Sequence, residues 1–105
     1  MKFRIVNTMV TCMLFDDKNK GINLGAIRDA DYEPEQFPGA IIKKEKFLDD
    51  GKSYRVSFLV FENGKINIGG CKSESEINEE VKYIEGLLEE YIKDKNEIIK
   101  VTSPE

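Results

Sequence analysis

The sequence predicts an α+β fold, a curved, antiparallel, five-stranded sheet with one long C-terminal helix packed on it. Three observations carry that expectation. Apolar residues alternate with period two in several short runs, most clearly from Tyr54 to Phe61. Asn63-Gly64 separates two such runs, a pairing that signals a hairpin turn. From Ser73 onward the period becomes helical, with Ile77, Val81, Ile84, Leu88 and Tyr91 forming one apolar stripe.

Residues 3–14 alternate over a long run and read as one strand. Ile5, Asn7, Met9 and Thr11 fall on one side of it, and Val6, Thr8, Val10 and Cys12 on the other. Asp16 to Gly21 is a turn. Residues 23–29 form a short helix with Asn23 as its cap. Pro34 and Pro38, with Gly39 behind them, make DYEPEQFPG a stiff exposed loop or an edge segment. Strands follow at 40–47, 54–61 and 65–70, with LDDGKS turning between the first two. Ser73 opens the long helix, and Glu76 completes a capping box. Residues 1–93 then make one domain and 94–105 a tail, in which NEIIKV adds a short strand. No second copy of the pattern occurs within the chain.

The totals exclude several classes of function. A chain of 105 residues, 40% of them hydrophobic, builds one core. No run approaches the roughly 18 apolar residues of a membrane span, so no membrane partner is expected. Two cysteines, Cys12 and Cys71, are too few and too far apart for a disulfide scaffold or a metal site, and point to a reduced, intracellular protein. There is no histidine, no paired nucleophile and base, and no phosphate-cradling glycine loop. Neither an enzyme nor a cofactor is expected.

The net charge of −4 argues mildly against nucleic acid. Its location weakens the objection. From Ser73 to Lys93 seven glutamates face two lysines, so that segment carries −5 and the remainder nets +1. The glutamates read as a solvated helix face. Under the helix the strands would place Tyr54, Val56, Phe58, Val60, Ile66 and Ile68. The opposite face would carry Ser57, Leu59, Phe61, Lys65, Asn67 and Gly69, mixed in character and poor in acids. Such a face is either covered by a protein partner or left neutral, or it lies in a DNA minor groove.

FRIVN (Phe3 to Asn7), YEPEQFPGAI (Tyr32 to Ile41), FLVFENGKINIGGCK (Phe58 to Lys72) and the following helix resemble one repeat of the TATA-box-binding protein family, most nearly its C-terminal repeat. The resemblance covers about residues 3–92. It implies a half saddle with the helix on the convex face and A·T-rich double-stranded DNA on the concave one. Phe37 and Phe61 match the family's wedge residues; the plainer readings are loop packing against Pro38 and a hairpin-end core residue. Asn7 matches a central asparagine that donates to minor-groove acceptors, or else closes a strand bulge. Met9 and Leu59 match apolar positions on the groove floor. Lys43 stands where the family has a phosphate-binding arginine and keeps the charge without the fork. Lys65 and Lys72 match other basic positions. Glu33 and Glu35 match acidic stirrup residues that recruit the factor known as TFB or TFIIB, or else are solvated loop charge.

Three departures stand out. Gly69 replaces the family's central threonine, Asn67 replaces an apolar floor residue, and EKFLDDGKSYR is longer and more acidic than the family's turn. With one repeat, the central sheet edge would lie open, so a homodimer is expected to rebuild the saddle. The resemblance thus implies a transcription-initiation protein that bends DNA inside the cell, in a nucleoid or a nucleus. Two alternatives are a nucleic-acid-holding module, of the kind fused to some RNases H and DNA glycosylases, and a protein-interaction regulator that has given up DNA.

Overall fold

A computed structural model describes residues 3–6 and 9–95. The chain forms β1 (Phe3–Val6), β2 (Met9–Met13), β3 (Lys20–Ile22), β4 (Ala40–Phe47), β5 (Ser53–Val60), β6 (Lys65–Gly69), α1 (Glu74–Leu88) and β7 (Ile92–Asp94). Five strands make one antiparallel sheet in the order β1-β2-β6-β5-β4. β3 and β7 form a separate antiparallel ribbon.

Strand parity decides the core. Val10, Cys12, Ala40, Ile42, Val56, Phe58, Val60, Ile66 and Ile68 are buried, as their alternation predicts. Ile77, Val81, Ile84 and Leu88 of α1 close over them. Burying each large apolar side chain contributes about 1.5–3 kcal/mol, so this layer is the main stabilising term. Tyr54 is half-buried on the same side and donates its hydroxyl hydrogen to Glu76.

The hairpin at Asn63-Gly64 forms as expected. Gly64 has φ +92°, and the Asn63 side chain accepts from the Lys65 N–H at 3.0 Å. A Cβ on Gly64 would also stand 3.0 Å from the Phe15 ring, so the position excludes side chains twice over.

Several expectations need correction. The single strand over 3–14 is two strands, because β1 folds back on β2 with Val6 opposite Met9. The reversal shifts the phase by one, pairing Ile5 with Val10 and Arg4 with Thr11, so the straight-strand grouping of Ile5 with Met9 and Thr11 does not hold. β1 pairs the edge of β2 that was expected to lie open. Asn7 lies outside the described residues, and so do 96–105, including the whole NEIIKV segment.

The expected helix at 23–29 is only a 3-10 turn at Leu24–Ala26, without a side-chain cap from Asn23. The Asn23 N–H is committed to the Tyr91 carbonyl at 2.9 Å, and Asp29 has φ +59°, which ends any helical path. The turn expected at 16–21 yields at its end to β3, which pairs with β7.

The N-terminus of α1 is a variant of the expected capping box. Ser73 accepts from the Glu76 N–H at 3.1 Å, as a cap should. The Glu76 carboxylate accepts from the Lys72 N–H at 2.6 Å instead of from the cap residue's own.

Finally, the helix glutamates are not all solvated. Glu76 and Glu80 are buried, and Glu80 is only 1% exposed. Lys44 and Lys46 reach it from β4 at 2.8 and 2.6 Å. The clamp lies where the β4–β5 hairpin outruns β6, which pairs only with Ser57–Val60. There a polar clamp, not an apolar layer, holds the hairpin to α1.

Candidate nucleic-acid interface

Each strand that sends one parity into the core sends the other to the open face, and the register aligns those side chains in rows. Met9, Gly69, Ser57 and Lys43 form one row across β2, β6, β5 and β4. Thr11, Asn67, Leu59 and Ile41 form the next. Met13 pairs with Lys65, whose carbonyl accepts from the Phe61 N–H at 2.9 Å, and this third row ends beside Gly39. Met9 and Met13 are exposed, and Thr11, Ile41, Ser57, Leu59, Asn67 and Gly69 are half-buried. An antiparallel sheet usually solvates one face with polar residues; this one keeps apolar groups there.

The two candidate wedges meet. Phe37 and Phe61 are both half-buried, with ring centroids 5.7 Å apart in an edge-to-face arrangement at 60°. The loop places Phe37 through a tight turn in which the Glu33 carbonyl accepts from the N–H groups of Gln36 and Phe37, each at 2.9 Å. Asp31 and Ile41 exchange two backbone bonds of 2.8 Å across the base of this loop. Gly39 makes room for both rings, since a Cβ there would stand 3.0 Å from Phe37 and 3.2 Å from Phe61. Glu33 and Glu35 are exposed at the loop's outer end.

The open face is cationic at its rim. Lys43, Lys65 and Arg55 are exposed on it, against Glu45. Lys65 Nζ sits 5.9 Å from the centroid of the Phe61 ring. The sequence reading named Lys43 and Lys65 but passed over Arg55, Ile41, Met13 and Thr11, which share their face. Strand parity alone would have found Arg55 and Ile41. The pairing of Thr11 with Asn67 joins residues far apart in the chain and left no local signal.

The opposite face has a different electrostatic character. Burial by itself would raise the pKa values of Glu76 and Glu80. Hydrogen bonds outweigh it, from Tyr54, the Lys72 N–H and Lys46 to Glu76, and from Lys44 and Lys46 to Glu80, so both carboxyls titrate below the usual range. Lys46 is pushed up in turn, chiefly by its hydrogen bond to Glu80. Burial raises the thiols of Cys12 and Cys71 to about 11, so neither is a thiolate near neutral pH. No group of three or more His, Cys, Asp or Glu able to hold a metal ion occurs among the described residues. No helix among them is long and apolar enough to cross a membrane.

The family model for transcription factor TFIID, or TATA-binding protein, matches residues 2–91. The chain belongs to the TATA-binding protein family. A TATA-box-binding protein of Methanococcus aeolicus is 33% identical over 87 residues, covering 79% of this chain and 44% of the relative. One of Methanococcus vannielii is 34% identical over 89 residues, covering 85% and 45%. A solved structure, Methanococcus jannaschii TBP, superposes with a TM-score of 0.57 at 34% identity, over 78% of this chain and 43% of that one. The chain thus spans less than half the length of the TATA-binding relatives it matches. The likeness accounts for the layer order, an antiparallel sheet with one face under a C-terminal helix and the other open.

Proposed function

We propose that this chain binds A·T-rich double-stranded DNA in the minor groove through its open sheet face, as a transcription-initiation protein and not as an enzyme. The observation that carries the reading is the Phe37–Phe61 pair, held partly exposed beside an acid-poor face with lysines at its rim. Burying an aromatic ring is worth roughly 1.5–3 kcal/mol, and a pair left half out of water is suited to a ligand that covers it. Entering a base step, the rings unstack it and kink the duplex toward its major groove, and the opened minor groove then touches more of the sheet. Met9 and Leu59 lie on the groove floor, while Lys43 and Lys65 reach phosphates. Asn7 would add a donor near the centre.

A saddle needs two such halves, and the sequence holds one. The second is a second copy of this chain, and a symmetric saddle suits a palindromic site. Glu33 and Glu35, exposed on the loop that carries Phe37, serve a TFB-like factor. The protein then works inside the cell, with the DNA.

Anisotropy titrations on A·T-rich and G·C-rich duplexes at several salt concentrations test the binding, with light scattering for the dimer. The reading requires an A·T preference and an affinity that falls with salt. Equal, salt-insensitive binding to both duplexes would sink it. A strict monomer that still bends DNA would remove the dimer alone. Glu33→Ala with Glu35→Ala should weaken capture of a TFB-like factor and leave DNA binding intact.

A second reading has one specific observation behind it. Gly69 offers no side chain on the central row, and Asn67 is polar where the family is apolar. A regulator that keeps the stirrup contacts and has lost DNA would show factor binding without any duplex affinity.

A further inference from the structure

The loss of a hydroxyl at Gly69 has a counterpart one row along the same face. Thr11 Oγ1 donates to Asn67 Oδ1 at 2.9 Å, across β2 and β6 and in a partly buried setting. This bond has a directional consequence. An asparagine amide is both donor and acceptor, and free to turn it can present either end. With one lone pair of Oδ1 taken by the threonine hydroxyl, the orientation of the amide is set, and its Nδ2 amine is the donor left for a ligand.

That asymmetry matches one side of the minor-groove code. An A·T pair in either orientation shows only acceptors there, whereas a G·C pair adds the donor amino group of guanine. An amide held with its amine outward gains a bond to the first and meets a like group in the second. Once water is excluded, the Thr11 hydrogen also needs an acceptor, and Oδ1 supplies it. Turning the amide over would break that bond and point an oxygen at the acceptors of an A·T pair.

We propose that Thr11 is a positioning residue that locks Asn67 as a donor reading A·T pairs, so that this chain's reading group sits at Asn67 in place of the hydroxyl absent at Gly69. The inference rests on the minor-groove function proposed above and deepens it. Leu59 and Ile41 complete the same row and pack against the floor beside the amide. Gly69, carrying no side chain, leaves the neighbouring row open for close approach.

The test uses the full chain and a series of A·T-rich duplexes in which each pair in turn becomes I·C or G·C. An I·C pair has the minor-groove groups of A·T and the major-groove groups of G·C. Wild type should tolerate I·C and lose about tenfold or more at one G·C position per half site. Thr11→Val, checked by circular dichroism, should bring that discrimination down to about twofold with the salt dependence unchanged. Thr11→Ser should restore it, which a merely structural role for the threonine methyl would not. Asn67→Asp, offering acceptors alone, should lose the A·T preference at that position whether or not Thr11→Val folds. Discrimination unchanged in Thr11→Val or in Asn67→Asp overturns the inference and leaves the DNA reading standing. An I·C penalty equal to that of G·C does so as well. Absence of any duplex binding by wild type removes the proposed function itself.

Discussion

Lys43, Lys44 and Lys46 lie within four residues on β4 and do opposite things. Lys43 faces the open side, exposed, in a row with Ser57, Gly69 and Met9. Lys44 and Lys46 turn to the helix side and close on Glu80, which is almost wholly buried. Lys44 also covers the Tyr83 ring at 3.8 Å. The two faces of one sheet thus use the same residue type for free cationic surface and for neutralising a buried acid. Charge becomes informative only when parity and the opposing layer are known. The acidity of α1 is spent partly inward, where it meets lysines, and partly on solvent away from the open face.

The comparison breaks most visibly at the rings. Replacing Phe37 and Phe61 together with Ala should abolish bending in a FRET assay and weaken A·T-rich binding by more than tenfold, with the circular dichroism spectrum kept, since each ring is only half-buried. Unfolding of the double variant would show that both rings serve the core, and unchanged bending would show that they are not wedges.

The helix side should respond in stability and not in binding. Lys44→Met with Lys46→Met keeps the apolar stems and leaves Glu80 buried without a cation. A cost of about 3 kcal/mol is expected in urea unfolding. A loss under about 1 kcal/mol would mean that water reaches Glu80 and that the clamp is weak.

Acid should reveal the same clamp. Glu76 and Glu80 titrate below the usual carboxylate range in the folded chain. Their contribution is therefore complete above the unfolded value of about 4.3 and fades as pH falls through the lower folded values. The urea midpoint should hold from neutral pH to about 5 and drop below about 4, more steeply in wild type than in the Lys44→Met, Lys46→Met variant. Parallel acid profiles for the two proteins would refute the assignment. At the alkaline end the sign reverses. Lys46 is raised, so its share persists below about 10.4 and is lost as pH climbs through its folded value.

The smallest effect sharpens the open face. A Cβ at Gly69 would meet only the Met9 side chain, at an ordinary 3.5 Å, and the backbone there is not left-handed. Gly69→Thr should therefore fold and strengthen A·T-rich binding a few-fold by adding a hydroxyl to the central row, about the net worth of one hydrogen bond. Weaker binding would mean that the row needs the glycine for close approach.

Much of the fold was legible in the chain. β4, β5, β6 and the start of α1 were read within a residue or so because each has a clean period and its own punctuation, such as Asn63-Gly64 or Ser73, whereas the stripe read to Tyr91 outran α1, which ends at Leu88. Most of the candidate face followed from the same parity. The misreadings have two causes. Asn23 held by Tyr91 and Glu80 buried under two lysines depend on partners distant in sequence, whereas β1 reversing onto β2 is a local hairpin that carries no Asn-Gly type turn signal.

The sequence by itself determined which residues alternate, where the period turns helical, and that Phe37 and Phe61 stand at the ends of a loop and a strand. Local sterics and the spacing of apolar side chains are enough for that. Only the tertiary structure decided that the two rings touch, that Thr11 holds Asn67, and that the β4 lysines divide between a surface and a buried acid. Those outcomes turn on strand register and on which layer lies opposite. Register comes from pairing energies summed over the whole sheet, and no short window of sequence contains them.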